Sequence, residues 1–451
     1  MKLNEYLETV SEQIRYTKIR STVTEELKNH ILDQAADYEA YGAFPEEALE
    51  RAVREMGDPV ETGVALDRIH RPQMNWSILI AIAVLSILGV GVYYIANIQF
   101  SDTFPWQRQA MYVLLGFFLM LIVYRVDYSI LGKFKWKAAV FFFLFMAISS
   151  MFLGVQKYGA TRWIAFGPIS FSITEAMFLY VPLFGAALYS FRGDGYIVLA
   201  KTISLIILPV FFVWFRPSLS AALVLFTTLF CLFAFAVWKG WYQIHKKAVL
   251  GISGGIVLFT PLAILGYYYF FGEAYQAERI RSFFTQSGGS HYIQNLARSM
   301  RESSALLGTS HQAMEQLANG PYREYLTDFI LVSMCSIYGV LLTVAVVAGL
   351  TLIIFKIFRI SLTQKNQLGM IVGTGCGLVF LVKTTVGILQ NLQLIPYISV
   401  NIPFLSYGGS NVVVSYILLG LGLSVYRYKN ILPDEKAVPV KHRRRLKITW
   451  E

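Results

Sequence analysis

The chain has 451 residues, of which 55% are hydrophobic and only 15% charged. Soluble globular proteins carry about 25% charged residues, so this deficit excludes an ordinary soluble enzyme and puts most of the chain against lipid. The net charge of +11 does not point to nucleic acid, because the basic residues sit in short loops between apolar runs and in the tail Lys441, Arg443, Arg444, Arg445, Lys447, a distribution that orients a membrane protein and suits an anionic leaflet.

Residues 1–72 predict a small helical domain. Leu3, Tyr6, Leu7, Val10 and Ile14 recur at helical spacing, as do Val23, Leu27 and Ile31. Thr22 with Glu25 makes a capping-box pattern ahead of the second helix. Pro45 followed by Glu46 and Glu47 starts a third. Gly57 stops it, Asp58-Pro59-Val60-Glu61 starts a fourth, and Arg71-Pro72 closes the domain. Nothing here has catalytic spacing, so a regulatory or partner-binding module is expected. These polar residues do not read as a secretory signal, since the first apolar run begins near Trp76.

Beyond them the sequence predicts an all-α bundle of about ten membrane spans over residues 76–430, followed by a basic tail over 431–451. Runs long enough to cross a hydrocarbon core of about 30 Å lie near 77–98, 109–127, 137–156, 174–191, 198–215, 217–238, 248–271, 328–355, 367–390 and 404–426. With the N-terminus inside, the inner loops hold Arg125, Lys133, Lys135, Lys137, Arg192, Lys201, Lys239, Lys246, Lys247, Lys356, Arg359 and Lys365. The short outer loops hold only Arg108, Lys157, Arg162 and Arg216. Twelve against four is a positive-inside bias that puts both termini in the cytoplasm. The cysteines Cys231, Cys335 and Cys376 fall inside apolar runs, without disulfide or zinc-ligand spacing. Residues 272–327 break the rhythm as a long polar connection on the outer side, with a flexible Gly288-Gly289 pair and a short interfacial helix around Tyr292, Ile293, Leu296 and Ala297.

Five features could carry chemistry, each with a plainer reading. Asp328, at the start of a membrane helix, is either an N-cap or a carboxylate able to take a proton from a substrate hydroxyl. Arg162-Trp163, with Gly167-Pro168 and then Glu175, is either an interface anchor or a charged cluster in which Glu175 pairs with Arg162. In Tyr275 to Arg281, Arg279 and Arg281 either lie on a solvated amphipathic stretch or grip a diphosphate. In Pro403 to Ser410, the Ser406-Tyr407-Gly408-Gly409-Ser410 turn is either a tight helix entry or a broken helix with free amides and close backbone approach. Lys383, at membrane depth, is either functional or snorkels to the outer interface.

Together and in this order these clusters resemble the SEDS family, the FtsW/RodA/SpoVE proteins of bacterial elongation, division and sporulation. Arg162-Trp163 with Gly167-Pro168 and Glu175 is similar to the family's early outer loop, and Tyr275 to Arg281 to its Arg-x-Arg stretch. Thr327-Asp328-Phe329 is similar to its Thr-Asp-Phe, and Pro403 to Ser410 to its Pro-Phe-(Ile/Leu)-Ser-Tyr-Gly-Gly-Ser signature, the most specific of the four. The front domain is similar to a HAAS-type signalling prefix through Pro45-Glu46-Glu47-Ala48 and Met56-Gly57-Asp58-Pro59.

The resemblance implies a peptidoglycan glycosyltransferase that polymerises lipid II, the undecaprenyl-diphosphate-linked disaccharide-pentapeptide, outside the cytoplasmic membrane. A class B penicillin-binding protein would be its transpeptidase partner. It also implies Asp328 as catalytic base, and Arg279, Arg281 or a divalent cation (Mg or Mn) as stabiliser of the departing diphosphate. Arg162, Trp163, Glu175, Ser406, Gly408, Gly409 and Ser410 would bind substrate. The chain departs from the pattern at Ser336 and Ile337, where the family has two glutamates, at Ser218, where it has Asp, and at Phe178, where it has Lys; Lys383 stands where Gln is usual. Those departures leave a second reading, a catalytically impaired relative that binds lipid II or a transpeptidase and regulates wall synthesis.

Overall fold

The computed structural model describes residues 2–70, 73–99, 106–157, 160–166, 169–272, 274–285, 289–319 and 326–429. The tail arginines and lysines, Gly159, Gly167-Pro168 and Gly288 therefore lie outside the described residues. The chain divides into two compact units, Met1–Met74 with Tyr426–Asp434, and Asn75–Val425 with Glu435–Glu451.

The first unit is built from α1 (Leu3–Gln13), α2 (Thr17–Ala40), α3 (Pro45–Glu55) and α4 (Pro59–His70). Its core joins Tyr6 and Val10 of α1, Ile31 and Ala35 of α2, and Ala48, Ala52 and Val53 of α3. Pro45 sits in the first turn of α3, where its missing N–H costs nothing. The Asp58 carboxylate accepts the Val60 amide at 2.6 Å and caps α4. The second helix departs from expectation. It begins at Thr17 with Tyr16 as cap residue, so Thr22 and Glu25 lie inside it. Extending the helix back buries Ile19 beside Val23, a gain that a local capping pattern does not register.

The second unit opens with α5 (Trp76–Gln99), α6 (Trp106–Arg125), the short α7 (Ile130–Phe134) and α8 (Trp136–Phe152). An antiparallel three-stranded sheet follows, β1 (Gly154–Lys157), β2 (Ala160–Phe166) and β3 (Ile169–Ser172), in that order. Then come α9 (Ile173–Ala176), running through a 3-10 turn into α10 (Tyr180–Ser190), and α11 (Ile197–Phe215), α12 (Leu219–Trp238) and α13 (Lys246–Phe271). The long polar connection holds α14 (Ala274–Thr285), α15 (Gly289–Glu302) and α16 (His311–Asn319). The chain ends in α17 (Ile330–Tyr338), α18 (Val340–Leu362), α19 (Gln367–Asn391) and α20 (Gly409–Arg427).

Among the described residues, nine helices, the α9–α10 segment counted as one, are long and apolar enough to cross a membrane; α8, with 17 residues, is a shorter apolar helix. The protein is an all-α, multi-pass membrane protein, and the small sheet is an addition the hydropathy pattern did not announce. α19 packs against α10, α12 and α18 and is 67% buried over its apolar window, whereas α13 is only 11% buried.

The run read as one span over 328–355 is two elements. α17 stops at Gly339, whose φ of +89° is a left-handed conformation, and the span proper, α18, continues to Leu362. Hydropathy registers composition and passes over such a break.

Candidate active site

α19 carries the polar groups that organise the site. Lys383, Gly387, Gln390 and Asn391 follow one another at helical spacing on its buried face. Gln390 Nε2 and Asn391 Nδ2 donate to the Asp328 carbonyl at 3.0 and 2.9 Å. Asn391 Oδ1 accepts the amides of Leu331 and Val332 at 3.0 and 3.3 Å. One asparagine thus satisfies two of the open N-terminal amides of α17 and fixes the main chain of Asp328 just ahead of it. Phe329 occupies the cap position of α17 without a side-chain bond. Asp328 is therefore not the N-cap, because Asn391 already serves those amides.

Asp328 is buried, at 4% exposure. Its Oδ2 accepts the Tyr397 hydroxyl at 2.6 Å and its Oδ1 accepts the Ser399 hydroxyl at 3.0 Å. The Tyr397 ring stacks on Phe329, centroids 5.5 Å apart and planes 14° from parallel.

About two turns away on α19, Lys383 donates to Glu175 Oε2 at 2.7 Å and to Asn411 Oδ1 at 2.8 Å. Lys383 is 3% exposed, so it does not snorkel; a partnered ammonium has no reason to seek the interface. Asn401 Nδ2 approaches Glu175 Oε1 at 3.4 Å. The expected pairing of Glu175 with Arg162 is not what forms. Arg162 donates to the carbonyls of Arg216, at 3.1 Å, and Pro217. These follow the end of α11, where a cation suits the dipole. Arg216 reaches back to Thr161 and Ser150, so the two arginines tie the sheet to the α11–α12 turn. Trp163, half-buried on β2, pairs across the strands with Ser172 and Val155.

The Ser-Tyr-Gly-Gly-Ser turn is anchored through the amides of Ser406, Tyr407 and Gly408. The Tyr407 amide donates to the Leu326 carbonyl at 3.0 Å and the Gly408 amide to Gln109 Oε1 at 3.3 Å. Ser406 Oγ accepts the Ile402 amide at 2.9 Å, and Ser410 Oγ accepts the Ser172 amide at 2.8 Å. Gly408 has φ +143°. A Cβ on Gly409 would lie 2.8 Å from the Tyr112 ring, so both glycines answer to backbone conformation and close approach. Tyr93 donates to the carbonyls of Leu326 and Leu405 at 3.0 and 2.9 Å, binding the turn to the segment that leads into Asp328.

Arg281, exposed on α14, donates to the Tyr269 carbonyl at 3.3 Å and lies over that ring at 5.4 Å. The side chain of Arg279 lies outside the described residues. The structure thus brings Asp328, Glu175, Ser406, Gly408, Gly409 and Ser410 into one connected network, through side chains the sequence did not single out: Tyr397, Ser399, Gln390, Asn391, Asn401, Asn411 and Gln109. Asn391 and Gln390 had a signal, as amides closing an apolar run. Tyr397 and Ser399 had none, sitting between Pro396 and Pro403 with no periodicity to mark them.

The family positions that depart from pattern are filled by neutral packing. Ser336 donates to Val332 within α17 at 3.1 Å, Ile337 is buried, and Ser218 precedes α12. Phe178 is buried with its ring centroid 4.7 Å from Lys383 Nζ.

Comparison with known proteins identifies the family. The chain is 25% identical over 379 residues to peptidoglycan glycosyltransferase MrdB of Helicobacter pylori, covering 81% of this chain and 93% of that protein. It is also 25% identical to the probable peptidoglycan glycosyltransferase FtsW of Enterococcus hirae, covering 78% and 92%. Among solved structures, a chain from a peptidoglycan synthase complex, described as coordinating polymerization and crosslinking, superposes with a TM-score of 0.62 at 20% identity, covering 78% and 98%. The rod shape determining protein RodA of Thermus thermophilus superposes with a TM-score of 0.54 at 18% identity, covering 79% and 97%. The cell cycle protein model FtsW/RodA/SpoVE matches residues 72–431. That match spans the whole bundle and the network around Asp328, and the chain belongs to the FtsW/RodA/SpoVE family.

Proposed function

We propose that this protein is a peptidoglycan glycosyltransferase that polymerises lipid II at the outer face of the cytoplasmic membrane, with both termini inside. The observation that carries the reading is the buried Asp328 carboxylate, its main chain fixed by Gln390 and Asn391 and both its oxygens held by hydroxyls. The names of the MrdB and FtsW relatives support the reaction class. In this reading Asp328 takes the proton of the acceptor sugar hydroxyl while that oxygen attacks the anomeric carbon of the donor. The bond from that carbon to the phosphate oxygen breaks, and the undecaprenyl diphosphate leaves with the electron pair. Arg279 and Arg281, on α14, are the groups proposed to meet its charge; Arg162, Trp163 and the serines of the turn shape the pocket wall.

Among the described residues no three His, Cys, Asp or Glu side chains converge as metal ligands. A Mg or Mn ion needs no such cluster, since it is commonly held by one or two carboxylates together with substrate phosphates, and in this reading it would enter on the diphosphate oxygens. The synthase complex among the structural neighbours supports a class B penicillin-binding protein as transpeptidase partner. The front domain, similar to a HAAS-type prefix, acts in this reading as a cytoplasmic sensor or adaptor.

The test is reconstitution of the purified protein with its cognate transpeptidase and labelled lipid II. Glycan strands that form with wild type and vanish with Asp328→Asn support the reading. Absence of polymer from the wild type across lipid compositions and added cations sinks it, and leaves the regulatory relative in its place.

A further inference from the structure

The chain between Pro396 and Ile402 runs outside helix and strand, yet its side chains alternate in the period of two of an extended segment. Val400 and Ile402 are buried, at 5% and 1% exposure. Tyr397, Ser399 and Asn401 turn the other way and meet acids, the first two at Asp328 and the third at Glu175. This stretch is fastened beyond Asn401 by the Ile402–Ser406 bond and the Tyr407–Leu326 bond, so the hydroxyls are delivered by a fixed loop.

An aspartate carboxyl rotates in a broad, shallow well about its last torsion. A donor on each oxygen removes that freedom and sets the plane of the group. The two donors differ in setting. Tyr397 is half-buried, at 2.6 Å from Oδ2 and with its ring stacked on Phe329, the residue next to the acid it holds. Ser399 is exposed, at 3.0 Å from Oδ1.

We propose that Tyr397, with Ser399, is a positioning residue that orients the Asp328 carboxylate for the acceptor hydroxyl of the glycan. The proposal rests on the glycosyltransferase reading of Asp328. Neither residue touches the reacting sugar carbon; each acts through the acid, by holding it in line for proton removal.

Steady-state polymerisation by the reconstituted full-length protein with its transpeptidase tests this, with Asp328→Asn run beside Tyr397→Phe, Tyr397→Ala, Ser399→Ala and Ser399→Thr. Tyr397→Phe keeps the ring on Phe329 and removes only the hydroxyl. Its kcat is expected to fall at least about tenfold, the scale of a hydrogen bond to a charged group, with KM within about twofold. Ser399→Ala falls in the same direction, and Ser399→Thr, which restores a hydroxyl, recovers the rate. The unfolding midpoint of Tyr397→Phe in detergent stays at the wild-type value. A Tyr397→Phe protein with wild-type kcat overturns the proposal. So does a loss that appears only in KM, or one that tracks a lowered unfolding midpoint. If Asp328→Asn still polymerises, the role of Asp328 itself fails; if Asp328→Asn is inactive while Tyr397→Phe is fully active, only the positioning role fails.

Discussion

Lys383 and Glu175 meet from places 208 residues apart in the chain, with side-chain exposures of 4% and 15%. Each was visible in the sequence as an ion inside an apolar run, but nothing local says that they pair; that information lies in how α9 and α19 pack. The exchange at Phe178 belongs to the same observation. The family pattern has a lysine at 178, and here α19 brings an ammonium to 4.7 Å from the Phe178 ring centroid. In this chain the buried ammonium beside position 178 is that of Lys383. Removing one member of a buried pair leaves the other unpaired in a low-dielectric interior, at a cost of about 3–5 kcal/mol. Lys383→Met should therefore lower the unfolding midpoint in detergent well below wild type. Glu175→Gln combined with Lys383→Met should recover most of that loss, because no uncompensated charge remains. A double variant as unstable as the single one would show that the pair is not what Lys383 contributes.

At the scale of elements, the helices and their approximate limits were legible because ten apolar runs separated by short basic loops admit few other readings. What was not legible is where a continuous apolar run stops being a continuous helix. Gly339 divides α17 from α18, and no proline or polar cluster announces it. The reason is tertiary: a Cβ at Gly339 would lie 2.7 Å from the Leu307 Cα and 2.8 Å from the Leu306 carbonyl oxygen, so the outer connection lies directly against this backbone. That contact continues as a short ladder, in which Gly308 donates to the Tyr338 carbonyl and Val340 to the Ala305 carbonyl, each at 3.0 Å. The break thus docks the connection and lets α17 end beneath it while Asp328 stays at the other end of α17. Gly339→Ala combines a left-handed φ with contact against backbone that cannot rotate aside. The conformational part alone costs about 1–3 kcal/mol, so a lowered unfolding midpoint and reduced polymerisation are expected together. An alanine variant as stable as wild type would mean that the connection yields, and that the α17–α18 break is not imposed by it.

At the scale of the molecule, the assignment of faces decides whether the network around Asp328 can meet an exported lipid-linked sugar at all. Connections at one end of the bundle bind one another. Gly193 donates to the Trp241 carbonyl at 2.9 Å, Gln243 to Asp194 at 3.0 Å, and Arg192 to Gln367 at 2.6 Å. At the other end the Ser172–Ser410 bond and the Asn391–Asp328 bond do the same. The first end carries Lys201, Lys239, Lys246, Lys247 and Lys365, and the second the outer connection of α14 to α16. The excess of lysine and arginine at the first end is what supports the proposal that this end lies in the cytoplasm, because short basic loops resist translocation. Replacing Cys231, Cys335 and Cys376 by serine and introducing single cysteines makes this directly measurable. A membrane-impermeant maleimide applied to intact protoplasts should label cysteines placed at Arg281 or Glu302. It should label those placed at Lys239 or Lys365 only after permeabilisation, and a cysteine at the exposed Phe44 of the front domain should follow the second pattern. Labelling of Lys239→Cys in intact protoplasts would invert the bundle. It would leave Asp328 facing the cytoplasm, where polymerisation of an exported substrate could not occur.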